Sequence, residues 1–334
     1  MIICCFAVTL KKTKFRLKLK VSLFVIILLS QCISALIPNF FLVYNNEDDV
    51  YVHHEIYLGA FPVCMEHITD LGDSKKVNYL AIGDMAEDIN VWDLDLVDAL
   101  DPAILLKGHS DSVLDLSWNK IKKNLLISVS ADKTARLWDL TKKKQTRKFD
   151  FKAIPQSVQF HPLDPTIFLT GDSESNALVI DISNGHSKKW VCEDEIEKVL
   201  WDKGNSSHFF VGTSTGNIFC FDIRNENTSL YTIKAHTEMI SGLAFSSSLD
   251  QCLVSCSADK DVKVWDVKKD GASCVKTLQP NVGTILSMSA NPDYPLVFAF
   301  SGNNNAENWK VVDFGSFKDG MLLLLNLSLL RFLI

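Results

Sequence analysis

Apolar and polar residues alternate in short runs along most of the chain. From about residue 50 to residue 314, runs with a period of two are separated by turns rich in Gly, Asn, Asp and Ser. This pattern is typical of antiparallel strands joined by tight turns. No run is long enough to form a helix with its own caps. The pattern therefore predicts an all-β protein made of many short strands.

The predicted strands recur as a repeating unit. The stretch "SADKTARLWDL" begins at Ser130, and the similar stretch "SADKDVKVWDV" begins at Ser257, 127 residues further on. A third of that distance is about 42 residues, the length of a four-stranded propeller blade. An aspartate that follows an apolar pair recurs at spacings of 46, 42, 41, 44 and 47 residues, at Asp93, Asp139, Asp181, Asp222, Asp266 and Asp313. Because four strands cannot bury both faces alone, the units must stack around an axis, and we predict six recognisable blades.

Two of the units carry the same four polar residues at the same spacing. In each, 28 residues separate a histidine from a tryptophan, with a serine ten positions and an aspartate six positions before the tryptophan. On paired strands the carboxylate can orient the imidazole, the imidazole can meet the hydroxyl, and the hydroxyl can meet the indole N–H. We therefore predict two structural tetrads, formed by His109, Ser128, Asp132 and Trp138 and by His236, Ser255, Asp259 and Trp265. A catalytic Ser-His-Asp interpretation is weaker, because catalysis does not need the constellation in two units.

The chain offers no stronger indication of an enzyme. The stretch "GTSTG" from Gly212 to Gly216 fits the nucleophile elbow of hydrolases, which presents its serine where a strand turns into a helix. The alternating run "NIFCFDI" follows, so Ser214 is predicted in a turn between two strands. No phosphate-binding loop or dinucleotide fingerprint occurs, and the nine cysteines form no zinc-type cluster and are interpreted as reduced thiols. The sequence predicts no catalytic residue, no metal site and no cofactor.

The two tetrads resemble those of WD40 propellers, in which Gly-His opens a repeat and Trp-Asp closes it. More specific stretches are "YVHHEIYLGAFP" from Tyr51, "INVWDLDLVDALDP" from Ile89, "GHSDSVLDLSWNK" from Gly108 and "AHTEMISGLAF" from Ala235. They resemble the periodic tryptophan protein 1 family, in order, from about Phe40 to Asp313. The resemblance implies a non-catalytic nuclear and nucleolar scaffold in ribosome biogenesis, ribosomal RNA synthesis and processing, and chromatin association. It implies protein partners among ribosome-assembly or chromatin factors, with ribosomal RNA or histones as further candidates.

The chain departs from that family near its start. The family carries a long acidic segment followed by the early strands of a further blade. Here only "FFLVYN" from Phe40 to Asn45 corresponds to that blade, as an inner strand without its partners. We therefore expect six blades plus a remnant strand of a seventh, in a ring that need not close fully. Unpaired strand edges at such a seam favour association.

Both ends of the chain are atypical hydrophobic segments. Residues 1–38 hold six Lys or Arg in the first 20 positions, and "VSLFVIILLSQCISAL" follows Lys20 in the layout of a signal peptide or signal anchor. Residues 315–334 contain "GMLLLLNLSLLRFLI", which has no blade pattern, so the predicted propeller spans residues 39–314. If the first segment is a genuine signal, the chain is instead a secreted or membrane-anchored interaction module, with a membrane as a partner. Otherwise the nucleus and nucleolus are expected.

Two opposite faces are candidates for binding. The loop before each inner strand and the turn that carries the tetrad aspartate share one face, with predicted partner-binding residues Ser110, Asp111, Ala131, Lys133, Thr237, Glu238, Ala258 and Lys260. Net charge is −6, or −12 beyond residue 20, from 28 basic and 40 acidic residues. The loops of the opposite face nevertheless gather a basic set, namely Lys122, Lys123, Lys142, Lys143, Lys144, Arg147, Lys188, Lys189, Lys268 and Lys269. This basic set is a hypothetical site for ribosomal RNA or an acidic protein segment. The alternative is that these side chains only maintain solubility.

Overall fold

The computed structural model describes residues 5–9, 22–26, 39–46, 49–72, 76–97, 99–225, 228–304 and 308–316. These ranges form strands in seven antiparallel sheets. They contain no α-helix, and one short 3₁₀ segment spans Phe314–Ser316. The predicted all-β fold is confirmed.

The first sheet consists of β1 (Cys5–Thr9), β2 (Ser22–Ile26), β3 (Asn39–Asn46) and β4 (Asp49–Tyr57), each paired with the next. The stretch predicted as a remnant strand lies in β3. It has partners, contrary to the expectation, since Val43 is opposite Phe24 of β2 and Val52 of β4. One of these partner strands comes from residues 1–38, the segment predicted to lie outside the propeller.

The other six sheets are the predicted blades, and the prediction of six blades is confirmed. Blade 1 consists of β5 (Pro62–Asp70), β6 (Lys76–Asp84), β7 (Ile89–Asp93) and β8 (Ile104–Leu106). Blade 2 consists of β9 (Val113–Trp118), β10 (Leu125–Ser130), β11 (Thr134–Asp139) and β12 (Lys144–Asp150). Blade 3 consists of β13 (Pro155–Phe160), β14 (Ile167–Asp172), β15 (Asn176–Asp181) and β16 (Ser187–Val191).

The remaining blades follow the same order. Blade 4 consists of β17 (Ile196–Trp201), β18 (His208–Thr213), β19 (Asn217–Asp222) and β20 (Tyr231–Lys234). Blade 5 consists of β21 (Ile240–Phe245), β22 (Cys252–Ser257), β23 (Val262–Lys268) and β24 (Gly271–Leu278). Blade 6 consists, within the described ranges, of β25 (Ile285–Ala290), β26 (Val297–Gly302) and β27 (Trp309–Asp313).

The sequence unit and the blade are offset by one strand. The sequence repeat that contains the first tetrad begins with "AILLK" from Ala103 to Lys107, and the repeat predicts that this stretch is a strand of the tetrad's own blade. That prediction is wrong, because β8, which lies in this stretch, pairs with β7 of the preceding blade. The outer strand of blade 2 is instead β12, which pairs with β11. Each sequence unit therefore contributes strands to two neighbouring blades, which ties the blades together.

The N-terminal sheet lies at the seam between the last blade and the first. Its strand β1 contacts β25 and β26 of blade 6 and β5 of blade 1. Of the signal-like stretch after Lys20, Ser22–Ile26 is described as β2, and its other residues lie outside the described ranges, as does the tail from residue 317 to 334. No helix within the described part of the chain is long and apolar enough to cross a membrane. The domain boundaries at residues 38 and 314 stay predictions.

The hydrophobic core lies between neighbouring blades. Side chains of blades 1 and 2, such as Val91, Leu116 and Trp138, form one buried cluster. Similar clusters join blades 2 and 3, 3 and 4, 4 and 5, and 5 and 6. Burying a large apolar side chain contributes about 1.5–3 kcal/mol. Each blade is therefore stabilised mainly by its neighbours, as stacked repeats are.

Candidate partner-binding faces

The first tetrad forms one hydrogen-bonded chain. His109, in the loop before β9, has its Nδ1 2.9 Å from Asp132 Oδ2 and its Nε2 2.7 Å from Ser128 Oγ. The Trp138 indole Nε1 donates to the same serine oxygen over 2.8 Å. Because a carboxylate can only accept, Nδ1 carries the proton and Nε2 accepts from the serine hydroxyl. Thr134, which the sequence pattern did not single out, donates its hydroxyl to Asp132 Oδ1 over 2.7 Å.

The second tetrad repeats this geometry in blade 5. His236 Nδ1 is 3.0 Å from Asp259 Oδ2, and its Nε2 is 2.8 Å from Ser255 Oγ. The Trp265 indole donates to Ser255 Oγ over 2.9 Å. Ser255 and its counterpart Ser128 have no exposed surface. Since both hydroxyls are buried and already hydrogen-bonded, the tetrads suit a structural role better than nucleophilic attack on a substrate.

Burial and hydrogen bonding set the charge of the tetrads. Burial lowers the pKa of His109 and of His236, although the facing aspartates oppose this shift. Both imidazoles are therefore neutral near pH 7. Burial raises the pKa of Asp132, but hydrogen bonds from Thr134 and His109 outweigh it and lower that pKa to about 2. Each tetrad thus pairs an ionised carboxylate with a neutral imidazole.

Each tetrad aspartate also fixes a loop that carries predicted partner-binding residues. Asp132 Oδ2 accepts from the backbone N–H of Ser110 over 3.1 Å, and Asp259 Oδ2 accepts from that of Thr237 over 3.0 Å. Of the eight predicted residues, Ala131 and Ala258 are half-buried, and the exposed ones are Ser110, Asp111, Lys133, Thr237, Glu238 and Lys260. All eight lie at the blade ends where an inner strand begins. They form two patches, because blades 2 and 5 are not neighbours.

The hydrolase-like motif lies in a turn between two strands, as the pattern predicted. Ser214 is between β18 and β19, and its backbone N–H donates to Glu195 O over 3.0 Å. The elbow chemistry needs a helix start at this serine, and a strand follows instead. Among the residues with described positions, no group of three His, Cys, Asp or Glu side chains could hold a metal ion.

The structure places the basic set differently from the prediction. Lys122 and Lys123 follow β9, and Lys142 and Lys143 follow β11, in the predicted loops; Lys269 follows β23. Lys144 and Arg147 lie in the outer strand β12, and Lys188 and Lys189 lie in the outer strand β16. Lys268 is the last residue of β23. The prediction of a loop position is wrong for these five residues. The basic set therefore covers one end of the blades and also the outer edge of blades 2 and 3.

Several members of the basic set are engaged within the molecule. Lys123 is 2.7 Å from Asp70, Lys142 is 3.1 Å from Asp139, and Lys268 is 3.1 Å from Asp266. Lys143 donates to Ala103 O over 3.2 Å and Lys188 to Ile223 O over 3.3 Å, and Arg147 donates to Ile182 O. The positive field is therefore weaker than a count of basic residues suggests. The lysine side chains of the three ion pairs are 40%, 63% and 63% exposed, so solvent weakens these pairs and a ligand can compete for the lysines.

These observations define the class of protein. Stacked four-stranded blades and two buried Asp-His-Ser-Trp tetrads make the chain a WD40 β-propeller, a class of protein-interaction scaffolds that are typically non-catalytic. Residues 101–139 match the WD domain, G-beta repeat, and residues 121–315 match the family described as Nucleolar protein 10-like, N-terminal domain. The Periodic tryptophan protein 1 homolog of Drosophila melanogaster is 35% identical over 280 residues, 78% of this chain and 61% of that protein. The chain belongs to the periodic tryptophan protein 1 family.

Two fungal proteins are also similar. Periodic tryptophan protein 1 of Saccharomyces cerevisiae is 31% identical over 291 residues, which cover 73% of this chain and 50% of that protein. An uncharacterized WD repeat-containing protein of Schizosaccharomyces pombe is 29% identical over 283 residues, which cover 78% of this chain and 55% of that protein. The chain therefore spans between 50% and 61% of the length of these relatives.

Proposed function

We propose that the chain is a non-catalytic scaffold in ribosome biogenesis, including ribosomal RNA synthesis and processing, and that it docks partner proteins on the tetrad-turn ends of blades 2 and 5. The docking surface is supported by the pair of tetrads, whose aspartates hold the loops containing Ser110 and Thr237, and the role in ribosome biogenesis is supported by the similarity to the periodic tryptophan protein 1 family. Polar loops held by a rigid scaffold suit recognition, because little ordering entropy is lost on binding. The proposed partners are ribosome-assembly or chromatin factors.

The proposed compartment is the nucleus and, within it, the nucleolus. The family match over residues 121–315, described by the name of a nucleolar protein, supports this compartment. The second candidate, a secreted or membrane-anchored module, is favoured only by the signal-like stretch after Lys20. A fluorescent protein fused to the C-terminus of the chain, with the native N-terminus kept, tests both. Nucleolar fluorescence supports the scaffold in ribosome biogenesis, and reticular or secreted fluorescence overturns it.

Charge reversal on the exposed loops tests the docking face. The variant Asp111→Lys, Lys133→Glu, Glu238→Lys and Lys260→Glu alters four exposed side chains without changing net charge or either tetrad. Its binding to ribosome-assembly proteins in nuclear extract is measured by affinity purification and quantitative mass spectrometry. We expect recovery to fall about tenfold, because charged groups across an interface must be complementary.

A matched control makes the same kind of change at the opposite blade ends. Lys122→Glu, Lys269→Glu, Asp270→Lys and Asp293→Lys also alter four exposed side chains and keep the net charge. We expect this control to recover the partners of the unmodified chain. Equal recovery by both variants would overturn the proposed docking face.

A further inference from the structure

A loop in blade 1 displays aliphatic side chains to solvent. Ten residues, 94–103, connect β7 to β8, whereas four residues connect β11 to β12 and two connect β23 to β24. Leu96 and Val97 are 55% and 56% exposed, and Leu100 is 92% exposed. A group of large exposed apolar side chains on a soluble domain marks an interaction site more often than a single one does. None of these three side chains belongs to the buried cluster between blades 1 and 2, so core packing does not explain them.

The loop is anchored at both ends, so the folded structure itself presents its middle. Leu94 is 3% exposed, and its backbone N–H donates to Asn78 O over 2.8 Å. The Asn78 side chain in turn donates to Asp95 Oδ1 over 2.8 Å. At the other end, Ala103 O accepts from Lys143 Nζ over 3.2 Å. A loop fixed in this way loses less entropy on binding than a free segment would.

Acidic residues alternate with the exposed aliphatic side chains. The stretch "DLDLVDALD" from Asp93 to Asp101 has aspartates at positions 93, 95, 98 and 101. Asp95 and Asp101 are exposed. Negative charge disfavours nucleic-acid phosphates and anionic lipid surfaces, and it favours Lys and Arg side chains. Aliphatic anchors flanked by carboxylates are complementary to an apolar groove with a basic border.

We propose that the exposed residues Leu96, Val97, Leu100 and Asp101 of this loop dock into an apolar groove, bordered by Lys and Arg side chains, on a partner protein. Leu100 is the central anchor, and Leu96 and Val97 extend the contact along the groove. The loop leaves β7 at the end opposite to the β6–β7 turn, because successive connections of antiparallel strands alternate between the two ends. The partner on this loop therefore occupies a different surface from the one on the tetrad-turn ends, and the scaffold can hold both at once.

Photo-crosslinking in the full chain tests this proposal. Benzoylphenylalanine replaces Leu100 and, in a matched control, Leu163, which is 71% exposed in the loop between β13 and β14. We expect position 100 to yield a protein cross-link about tenfold above position 163, with the attachment point mapped to an apolar groove that carries Lys or Arg at its border. Leu96→Ser with Val97→Ser, or Asp101→Lys alone, should each lower the yield about tenfold.

Several outcomes would overturn the proposal. These are cross-links to nucleic acid, to a second copy of the chain or to another segment of the same chain, and an attachment point without basic neighbours. Equal yields from positions 100 and 163, or a yield insensitive to Leu96→Ser with Val97→Ser, would also overturn it. All the substituted positions are exposed, so unchanged thermal melting of each variant shows that loss of a cross-link does not come from unfolding.

Discussion

The buried indole N–H groups show what the tetrads contribute at the scale of single residues. Trp138 donates to Ser128, whereas Trp92, the corresponding residue of blade 1, has a buried Nε1 without a hydrogen-bond partner. Ile82 stands ten positions before Trp92, where the tetrads have a serine. An unsatisfied buried N–H costs about 1–3 kcal/mol. Blade 1 must offset that cost through its apolar packing against blade 2.

Substituting each tryptophan by phenylalanine separates packing from hydrogen bonding. Both changes remove the same volume, but Trp138→Phe leaves Ser128 without its indole donor, and Trp92→Phe removes an N–H that has no partner. We expect Trp138→Phe to lower the free energy of unfolding by about 1–3 kcal/mol more than Trp92→Phe does. Urea titration of both variants measures this difference. Equal losses would mean that the tetrad hydrogen bonds do not stabilise the blade.

The tetrad histidines should make stability depend on pH. Burial lowers the pKa of His109 and of His236 below the ordinary value of 6.5, so the unfolded chain binds protons before the folded chain does as pH falls. The contribution of these two histidines to the free energy of unfolding should be fully present above about pH 6.5 and should decline below it. Asp132, whose pKa is lowered from 3.8 to about 2, adds a second loss over that interval. Urea titrations at a series of pH values measure both losses.

Glu66 provides a control of opposite sign. Burial raises its pKa from 4.5 to about 7, so its contribution to stability is complete below pH 4.5 and is lost as pH rises through about 7. Glu66→Gln should therefore steepen the decline on acidification, and His109→Asn should make it shallower. If the free energy of unfolding of the Glu66→Gln variant rose as pH fell from 6.5 to 4.5, the assignment of the decline to the histidines would be wrong.

At the scale of elements, the turn between β18 and β19 depends on a glycine rather than on the serine of the hydrolase-like motif. Gly216 has φ of 84°, and a Cβ there would lie 2.4 Å from His236 O. Gly216→Ala should therefore lower the free energy of unfolding by more than about 1 kcal/mol, whereas Ser214→Ala should change it by less than about 0.5 kcal/mol. Urea titration ranks the two variants. A larger loss for Ser214→Ala would give that hydroxyl a role that its turn position does not explain.

Inner and middle strands could be predicted from the sequence, but outer strands could not. The inner strand β9, "VLDLSW", has apolar residues at every second position from Leu114 to Trp118, and the inner strand β17, "IEKVLW", buries its four apolar residues. Most side chains of the outer strand β12 are exposed, so "KQTRKFD" has no apolar period, and the pattern predicts a loop at Lys144 and Arg147. The pairing of β8 with the preceding blade is likewise a tertiary choice that the repeat length does not encode.

Of the candidate sites, only those whose residues recur at a fixed spacing could be predicted from the sequence. The tetrads could be predicted, because two copies at one spacing specify a shared geometry. The loop from residue 94 to 103 could not be recognised as a surface, because "LDLVDAL" does not tell a buried turn from an exposed one. The buried Leu94 and the 92% exposed Leu100 lie six positions apart in that loop. Their exposure differs because Leu94 packs against blade 1 and Leu100 does not, and this difference depends on the fold.

At the scale of the whole molecule, charge differs between the two ends of the blades. In blade 4, the end that corresponds to the tetrad-turn ends of blades 2 and 5 carries Glu193, Asp194 and Glu195, in the loop before β17. The opposite end carries most of the basic set, but the recurring aspartates that close the Trp-Asp strands lie there too. Asp139 and Asp266 pair with Lys142 and Lys268. A polyanion at this end would therefore have to displace internal ion pairs as well as bind free lysines.

Neutralising part of the basic set decides between an RNA site and solubility. The variant Lys142→Gln, Lys143→Gln, Lys144→Gln, Lys188→Gln and Lys189→Gln removes five positive charges from the loop and outer-strand surface of blades 2 and 3. If ribosomal RNA binds there, affinity should fall, and the slope of log affinity against log salt should flatten by about 0.7 for each phosphate that the variant no longer neutralises. Fluorescence anisotropy with a ribosomal RNA fragment at several salt concentrations measures both.

The control for that experiment changes five lysines on or beside the tetrad-turn ends, namely Lys107, Lys133, Lys152, Lys234 and Lys260, all exposed, to glutamine. The two variants have the same net charge. A general electrostatic attraction between RNA and the lysines of the protein would therefore weaken equally in both. A site-specific interaction weakens only in the first, because the removed charges lie beside bound phosphates only there. If the first variant keeps both its affinity and its salt slope while its melting curve is unchanged, the basic set serves solubility, and protein partners alone account for binding.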